Sequence, residues 1–162
     1  MQTKSSKIKK LLGRAEKIDL PEQGMSGVPA RIDTGAKTSS IWATAIQERD
    51  GVLRYMLFSK DSPYFTGALL VTSDYEKIVV ACSIGAVQER YKVKLLIKLK
   101  GRKVRARFTL ADRSQQAYPV LMGRNVLRGK FVVDVQDGKP LYKEERQRSH
   151  NLQSKMVKKE SV

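Results

Sequence analysis

The chain has 162 residues and a formal net charge of +16, from 32 Lys and Arg against 16 Asp and Glu. This length suits one domain, and a single cysteine and a single histidine exclude an intramolecular disulfide, a Cys/His zinc cluster and a Ser-His-Asp triad. No apolar run is long enough for a spanning helix and no signal-peptide pattern follows Met1, so we expect a cytoplasmic protein without membrane contact.

Charge and polarity divide the chain into three predicted regions. Residues 1–17, with six basic residues and one acidic, form a basic N-terminal tail. Residues 18–138 form the domain, and residues 139–162, with seven basic residues and three acidic, form a basic C-terminal tail. The composition of each tail fits either a short helix or a disordered segment.

The first part of the domain has the composition of a β-hairpin. Residues 40–48 and 52–58 are rich in β-branched and aromatic side chains, and they flank Asp50-Gly51, a favoured two-residue turn. We expect Trp42 and Tyr55 to pack in the core across this hairpin.

Two shorter apolar runs, at 68–72 and 77–81, predict further strands. Cys82 follows the second run, and we expect it to be a small buried hydrophobic residue and not a nucleophile.

A second hairpin is predicted by strict alternation from Arg90 to Leu110, around a type II′ turn at Gly101-Arg102. Positions 90–107 carry nine basic residues and no acidic one. This set fits a solvated sheet face protected by lysine, a surface that binds nucleic acid or the ribosome, or a surface that attracts an acidic peptide. The side chains predicted to face the core are Tyr91, Val93, Leu95, Ile97, Leu99, Val104, Ala106, Phe108 and Leu110.

The most distinctive local motif lies at residues 30–40, where an apolar segment ends in Asp33-Thr34-Gly35 and small or hydroxylated residues follow. Glycine after the acid permits a tight turn and the close approach of a substrate chain, and the aspartate is able to polarise a water molecule. The tripeptide alone favours an ordinary turn, and only a second motif changes this interpretation. We expect Ser39 and Ser40 to hydrogen-bond the Asp33 loop.

A second motif follows at Tyr118–Leu127, where an apolar run is interrupted by Gly123 and continues into Arg124-Asn125. The spacing predicts one short helix over residues 123–129 and a strand over 131–135.

Together, the two motifs in this order resemble the retropepsins, the single-domain aspartic proteases of retroviral type. The similarity extends over residues 13–135 to a bacterial and archaeal branch labelled "ATP-dependent zinc proteases". This resemblance implies a mainly β, closed retropepsin-like barrel with one short helix, and an aspartyl protease activity. It implies a catalytic Asp33 whose loop is built by Thr34 and Gly35. The supporting or substrate-binding positions that it implies are Ala36, Lys37, Thr38, Asp112, Arg113, Gly123, Arg124 and Asn125.

We expect no metal and no other cofactor, despite the label of that branch. The chain has no His-Glu-x-x-His motif, no Cys/His cluster and no Gly-rich Lys-Ser/Thr loop for ATP.

One departure from the retropepsin pattern concerns charge. Lys37 stands where retropepsins carry an acidic residue that pairs with the arginine of Gly-Arg-Asn. Arg124 therefore needs another partner, and Asp112 is our candidate.

The number of Asp-Thr-Gly motifs bears on the mechanism. Aspartic proteases use two carboxylates that share one proton, whereas this chain has a single such motif. A working pair therefore requires a homodimer with one Asp33 from each copy. In a monomer, Asp33 would act with Lys37, Asp112 or Glu89 instead.

Two functions follow as hypotheses. The first is a hydrolase that cleaves a peptide or protein substrate, with acidic peptides as the candidate class. The second is a non-catalytic barrel that binds a nucleic-acid, ribosomal or acidic protein partner.

Overall fold

The structure is a computed structural model that describes residues 8–81 and 85–160, so the prediction for Cys82 lies outside the described residues. In chain order the strands are β1 (Lys10–Leu12), β2 (Ala15–Leu20), β3 (Met25–Ile32), β4 (Ser39–Arg49), β5 (Val52–Leu57), β6 (Leu70–Thr72), β7 (Tyr75–Ala81), β8 (Val87–Leu99), β9 (Arg102–Ala111), β10 (Val120–Met122) and β11 (Phe131–Val133). The α-helices are α1 (Arg124–Leu127) and α2 (Lys139–Glu160), and a 3-10 turn spans Pro21–Gln23.

Six strands close into a mixed barrel. Their order is β10, β3, β2, β8, β9 and β4, and β4 pairs again with β10. The pairs β3–β10 and β4–β9 are parallel, and the other pairs in the barrel are antiparallel. Strands β5 and β6 extend from β4, while β7 lies along β8. The predicted fold class, a mainly β closed barrel of retropepsin type, is confirmed.

Residues 10–17, which the charge pattern assigns to the N-terminal tail, form β1 and the start of β2. β1 pairs in parallel with β11, with Lys10 opposite Phe131 and Leu12 opposite Val133. Leu12 is fully buried. Strand pairing is thus present from Lys10, eight residues before the expected boundary at residue 18, because a short pairing with a distant strand leaves no local pattern.

The two predicted hairpins are present, with one correction to their turns. Asp50-Gly51 joins β4 to β5 as expected, and both residues have positive φ, as a type I′ turn requires. The second turn is Lys100-Gly101, not Gly101-Arg102, since Leu99 pairs with Arg102 and Lys100 and Gly101 have φ values of 48° and 76°. The expected type II′ turn was therefore wrong, and the turn is again type I′.

The core fills the barrel with the alternating side chains of its strands. On β8, Val93, Leu95, Ile97 and Leu99 are each at most 2% exposed, while Tyr91 is half-buried. The predicted inward face of β9 is buried at Val104, Phe108 and Leu110 and half-buried at Ala106. Trp42 and Tyr55 are both buried, and Trp42 packs edge-on against Phe58 with 6.3 Å between ring centroids.

The segment expected to be a basic C-terminal tail forms the long helix α2. It lies against the barrel, where Arg148 Nε donates a hydrogen bond of 3.0 Å to the carbonyl of Gln116. Among the described residues, neither this helix nor α1 combines the length and apolar character needed to cross a membrane.

Candidate functional site

Asp33 follows the last residue of β3, at the point where β3 and β10 end side by side. Ile32 lies opposite Met122 in the parallel register, and the Asp33 amide donates a hydrogen bond of 2.9 Å to the Met122 carbonyl. This hydrogen bond extends the pairing of β3 with β10 by one residue, so the barrel itself fixes the position of Asp33.

The Asp33 carboxylate is held by the backbone of its own loop. Its Oδ1 accepts hydrogen bonds from the amides of Gly35, at 3.0 Å, and Ala36, at 3.2 Å. A Cβ at position 35 would lie 3.3 Å from the same oxygen. Because Gly35 has no side chain, its backbone is able to lie close to this carboxylate. The loop is therefore built around one oxygen of the aspartate, which is itself half-buried.

The second motif packs directly against this loop. The amide of Arg124 donates to the Ala36 carbonyl at 2.8 Å, and the amide of Asn125 donates to the Lys37 carbonyl at 3.3 Å. Gly123 leaves no room for a side chain, because a Cβ there would lie 2.5 Å from the carbonyl oxygen of Thr38. The two motifs found in the sequence thus form one structural unit.

Ser39 and Asn125 connect this unit to the barrel. The fully buried Ser39 hydroxyl accepts a hydrogen bond from the Gly123 amide at 2.9 Å and donates one to Asn125 Oδ1 at 2.7 Å. Asn125 Nδ2 in turn donates to the Arg107 carbonyl on β9 at 2.8 Å. We expected Ser39 to bond the Asp33 loop, and it instead bonds the loop of Gly123.

The partner of Arg124 is the backbone of the Asp33 loop. Its Nη1 donates to the carbonyls of Gly35, at 2.7 Å, and Thr34, at 3.2 Å. The expected partner, Asp112, was wrong for a topological reason: β9 runs parallel to β4 and carries Asp112 away from the loop. Asp112 instead accepts a hydrogen bond from the Ser114 amide at 2.9 Å, and this bonding lowers the pKa of its carboxyl.

Arg113 also lies away from the Asp33 loop. Its guanidinium donates to the Tyr118 carbonyl at 3.0 Å and to the Ser40 hydroxyl at 3.2 Å. Burial lowers its pKa, and the nearby charges of Arg148 and Arg31 lower it further. Ser40 is thus a partner of Arg113, which the spacing of the motif did not predict.

The remaining candidate residues surround the carboxylate at the surface. Thr34 and Lys37 are exposed, and Ala36 and Thr38 are half-buried. Lys37 and the exposed Arg124 therefore give the edge of the Asp33 loop a positive charge.

Carboxylates from other parts of the chain form ion pairs with the basic face of the β8–β9 hairpin. Lys94 and Arg107 each lie 3.0 Å from Asp74, which comes from the turn before β7. Further ion pairs join Arg107 to Glu76, Arg105 to Glu22 and Lys100 to Glu16. These bonds lower the pKa of Asp74 and of Glu22. Folding thus brings carboxylates from neighbouring elements to four of the nine basic positions, Lys94, Lys100, Arg105 and Arg107.

Two cavities lie elsewhere on the described part of the chain. One of about 500 Å³ lies between the barrel and α2, and one of about 710 Å³ lies beside β4 and β8. Neither is lined by residues of the Asp33 loop. Within the described residues no three His, Cys, Asp or Glu side chains are grouped as a metal ion would require.

Comparison with protein families shows to which family the chain is related. The family described as the retropepsin-like aspartic endopeptidase RimB matches residues 11–147 of this chain. The chain belongs to this RimB-like family. The resemblance carried by the Asp-Thr-Gly and Gly-Arg-Asn motifs is thereby confirmed, and both motifs lie within the matched region.

Individual relatives that are similar to this RimB-like chain have a different name. Probable alpha-L-glutamate ligases from Shewanella halifaxensis and Desulfotalea psychrophila are each 29% identical, over 138 and 131 residues. The matches cover 76% and 78% of this chain but only 28% of each ligase. The chain thus corresponds to about a quarter of the length of these relatives.

A solved structure supports the fold. The crystal structure of a protein with unknown function from Legionella pneumophila is similar with a TM-score of 0.57 and 28% identity, over 79% of this chain and 95% of that one. The RimB-like barrel is therefore shared with an experimentally determined relative.

Proposed function

We propose that this chain is an aspartic peptidase in which Asp33 activates the water that attacks a peptide bond. The observation that carries the proposal is the carboxylate of Asp33, held by the amides of Gly35 and Ala36 at the end of β3. Membership of an endopeptidase family supports the same reaction class.

The two oxygens of Asp33 have different surroundings. Oδ1 accepts two backbone hydrogen bonds, while no donor from the described residues bonds Oδ2. Oδ2 is thus able to accept a hydrogen bond from water and to receive its proton as the water attacks the carbonyl carbon. Arg124, bonded to the carbonyls of Thr34 and Gly35, keeps the loop in place during this step.

The second carboxylate of the reaction comes from a second copy of the chain. An aspartic dyad needs two carboxylates with one shared proton, and the sequence contains one Asp-Thr-Gly. A symmetric homodimer with the Asp33 loops at its axis supplies the second carboxylate.

We further propose acidic peptides as the substrate class. Lys37 and Arg124 place two exposed cations beside the Asp33 loop, where they attract carboxylates. The similar relatives named as glutamate ligases support this choice, because a domain carried beside such an enzyme meets glutamate-bearing chains.

The test is cleavage of a glutamate-rich peptide by the wild type and by Asp33→Asn. We expect the variant to lose about 10³-fold or more in kcat/KM, since it lacks the group that accepts the proton. Asp50→Asn, in the exposed turn of the β4–β5 hairpin, is the matched control and should cleave normally. Equal cleavage by wild type and Asp33→Asn would remove Asp33 from the mechanism.

Sedimentation equilibrium tests the dimer separately. Activity that falls with the dimer fraction on dilution supports the shared dyad, whereas full activity in a strict monomer overturns it. Binding of the peptide without cleavage by the wild-type dimer would favour a non-catalytic binding barrel.

A further inference from the structure

The cavity between the barrel and α2 has the composition of a small-molecule site. Its volume is about 500 Å³, within the range of known ligand pockets. Trp42, Tyr64 and Tyr118 contribute aromatic surface from the barrel side, and Arg148 and Lys155 contribute cations from α2. We call it the α2 cavity.

Arginine donors near this cavity are only partly used. Arg148 gives one hydrogen bond to the Gln116 carbonyl, and Arg113 gives two, to the Tyr118 carbonyl and the Ser40 hydroxyl. Each guanidinium has five N–H donors, so several remain on each side chain. All three acceptors are neutral groups.

The charges of these arginines are not balanced by the described part of the protein. Both are half-buried, and among the carboxylates whose side chains the structure describes, which leave out those of residues 144 and 145, none forms an ion pair with Arg113 or Arg148. Arg31 lies close enough to Arg113 for the two like charges to interact. Among the lining residues whose side chains the structure describes, the only acidic one is the exposed Asp61. Such a grouping of partly desolvated cations favours a bound anion.

We propose that the α2 cavity binds a small molecule that joins an oxyanion, either carboxylate or phosphate, to an apolar ring. The oxyanion contacts the free donors of Arg148, because a guanidinium fork matches both kinds of oxyanion. The ring packs against the aromatic wall that includes Trp42. This site is separate from Asp33 and does not depend on the peptidase proposal, since its lining contains no residue of the Asp33 loop.

Trp42 supplies the measurement, because it is the only tryptophan of the chain and lies in the cavity wall. We would titrate the full chain with phenyl phosphate, phenylacetate, phenol and inorganic phosphate, and follow tryptophan emission. Saturable binding of phenyl phosphate or phenylacetate, at least tenfold tighter than phenol and inorganic phosphate, is expected. The tighter of the two aromatic anions identifies the kind of oxyanion. Phenol binding as tightly as the anions, or no saturable response to either anion, would overturn the proposal.

Two substitutions on α2 separate a built site from general attraction to a basic protein. Arg148→Gln should weaken the aromatic anion about tenfold, as loss of a charged hydrogen bond does, while Arg148→Lys should weaken it less. Lys158→Gln removes the same charge from an exposed position in the last turn of the same helix and should bind as the wild type does. Equal weakening by Arg148→Gln and Lys158→Gln, with folding verified by circular dichroism, would reduce the effect to net charge and refute the site.

Discussion

The Asp33 loop and the β8–β9 hairpin hold their charges in different ways. The carboxylate of Asp33 is bonded by two amides within three residues of it, and its loop is supported by the second motif. The cations of the hairpin are bonded by carboxylates from β2, from the 3-10 turn, from β7 and from the turn before β7. Hydrogen bonds between residues close in sequence can therefore be predicted from a motif. The net charge of a surface, in contrast, depends on which strands the fold brings together.

The largest expected effect on stability comes from Gly123→Ala, which would separate the two motifs around Asp33. The added Cβ would lie 2.5 Å from the Thr38 oxygen and 2.9 Å from the Ala36 oxygen, both backbone atoms. We expect a loss of about 3 kcal/mol in the free energy of unfolding, because backbone in the barrel moves less readily than a side chain. Urea denaturation measures the loss.

Gly129→Ala is the control for this change. Gly129 has a φ of +74° but open space at its Cβ position, so alanine there is strained without a clash. A loss of about 1–2 kcal/mol is expected from conformation alone. If both variants lose the same amount, the contact between Gly123 and Thr38 does not hold the two motifs together.

A smaller effect is expected from Ser39→Ala, which removes the hydroxyl between Gly123 and Asn125. The change leaves the buried Gly123 amide without its acceptor, at a cost of about 2 kcal/mol in unfolding free energy. Ser26→Ala, on an exposed position of β3, should change this quantity by less than about 0.5 kcal/mol. Indistinguishable urea midpoints for the two variants would contradict the role given to Ser39.

The smallest effect is expected on the hairpin, from Asp74→Asn. Lys94 and Arg107 lower the pKa of Asp74, so its charge stabilises the fold above the pKa of the unfolded chain. The stability difference between wild type and variant should therefore be present at pH 7 and should disappear as the pH falls below about 4. High salt should also reduce it.

Denaturation midpoints at several pH values measure this difference, and Asp50→Asn, in an exposed pair with Arg49, is the control. If the stability difference between wild type and Asp74→Asn grew as the pH fell, the charged form of Asp74 would not stabilise the fold and the ion pairs of the hairpin would not have the effect assigned to them.

The sequence predicted those parts of the structure that are determined by residues close together in the chain. Alternation located the buried face of β8, and the Asp-Gly pair located the turn after β4. The turn after β8 was displaced by one residue, since a glycine is compatible with either position of a two-residue turn and only the pairing of Leu99 with Arg102 decides between them. Closure of the barrel, by contrast, has no local signal.

The site divides in the same way. Asp33, Gly35, Gly123 and Arg124 come together as the two motifs predict, because one motif packs on the other. Asp112 and Arg113 do not join them, because the direction of β9 is a property of the whole barrel.

The parallel pairing of β1 with β11 has a consequence for how such a barrel is carried in larger proteins. The chain enters this two-stranded sheet at Lys10 and leaves it at Val133, on neighbouring strands and thus within about 10 Å of each other. A segment before β1 and a segment after β11, as α2 is, therefore need not cross the barrel or disturb its strands. This pairing of the two ends suits a domain within a longer polypeptide, and the similar ligases, of which the chain matches only 28%, are such longer polypeptides.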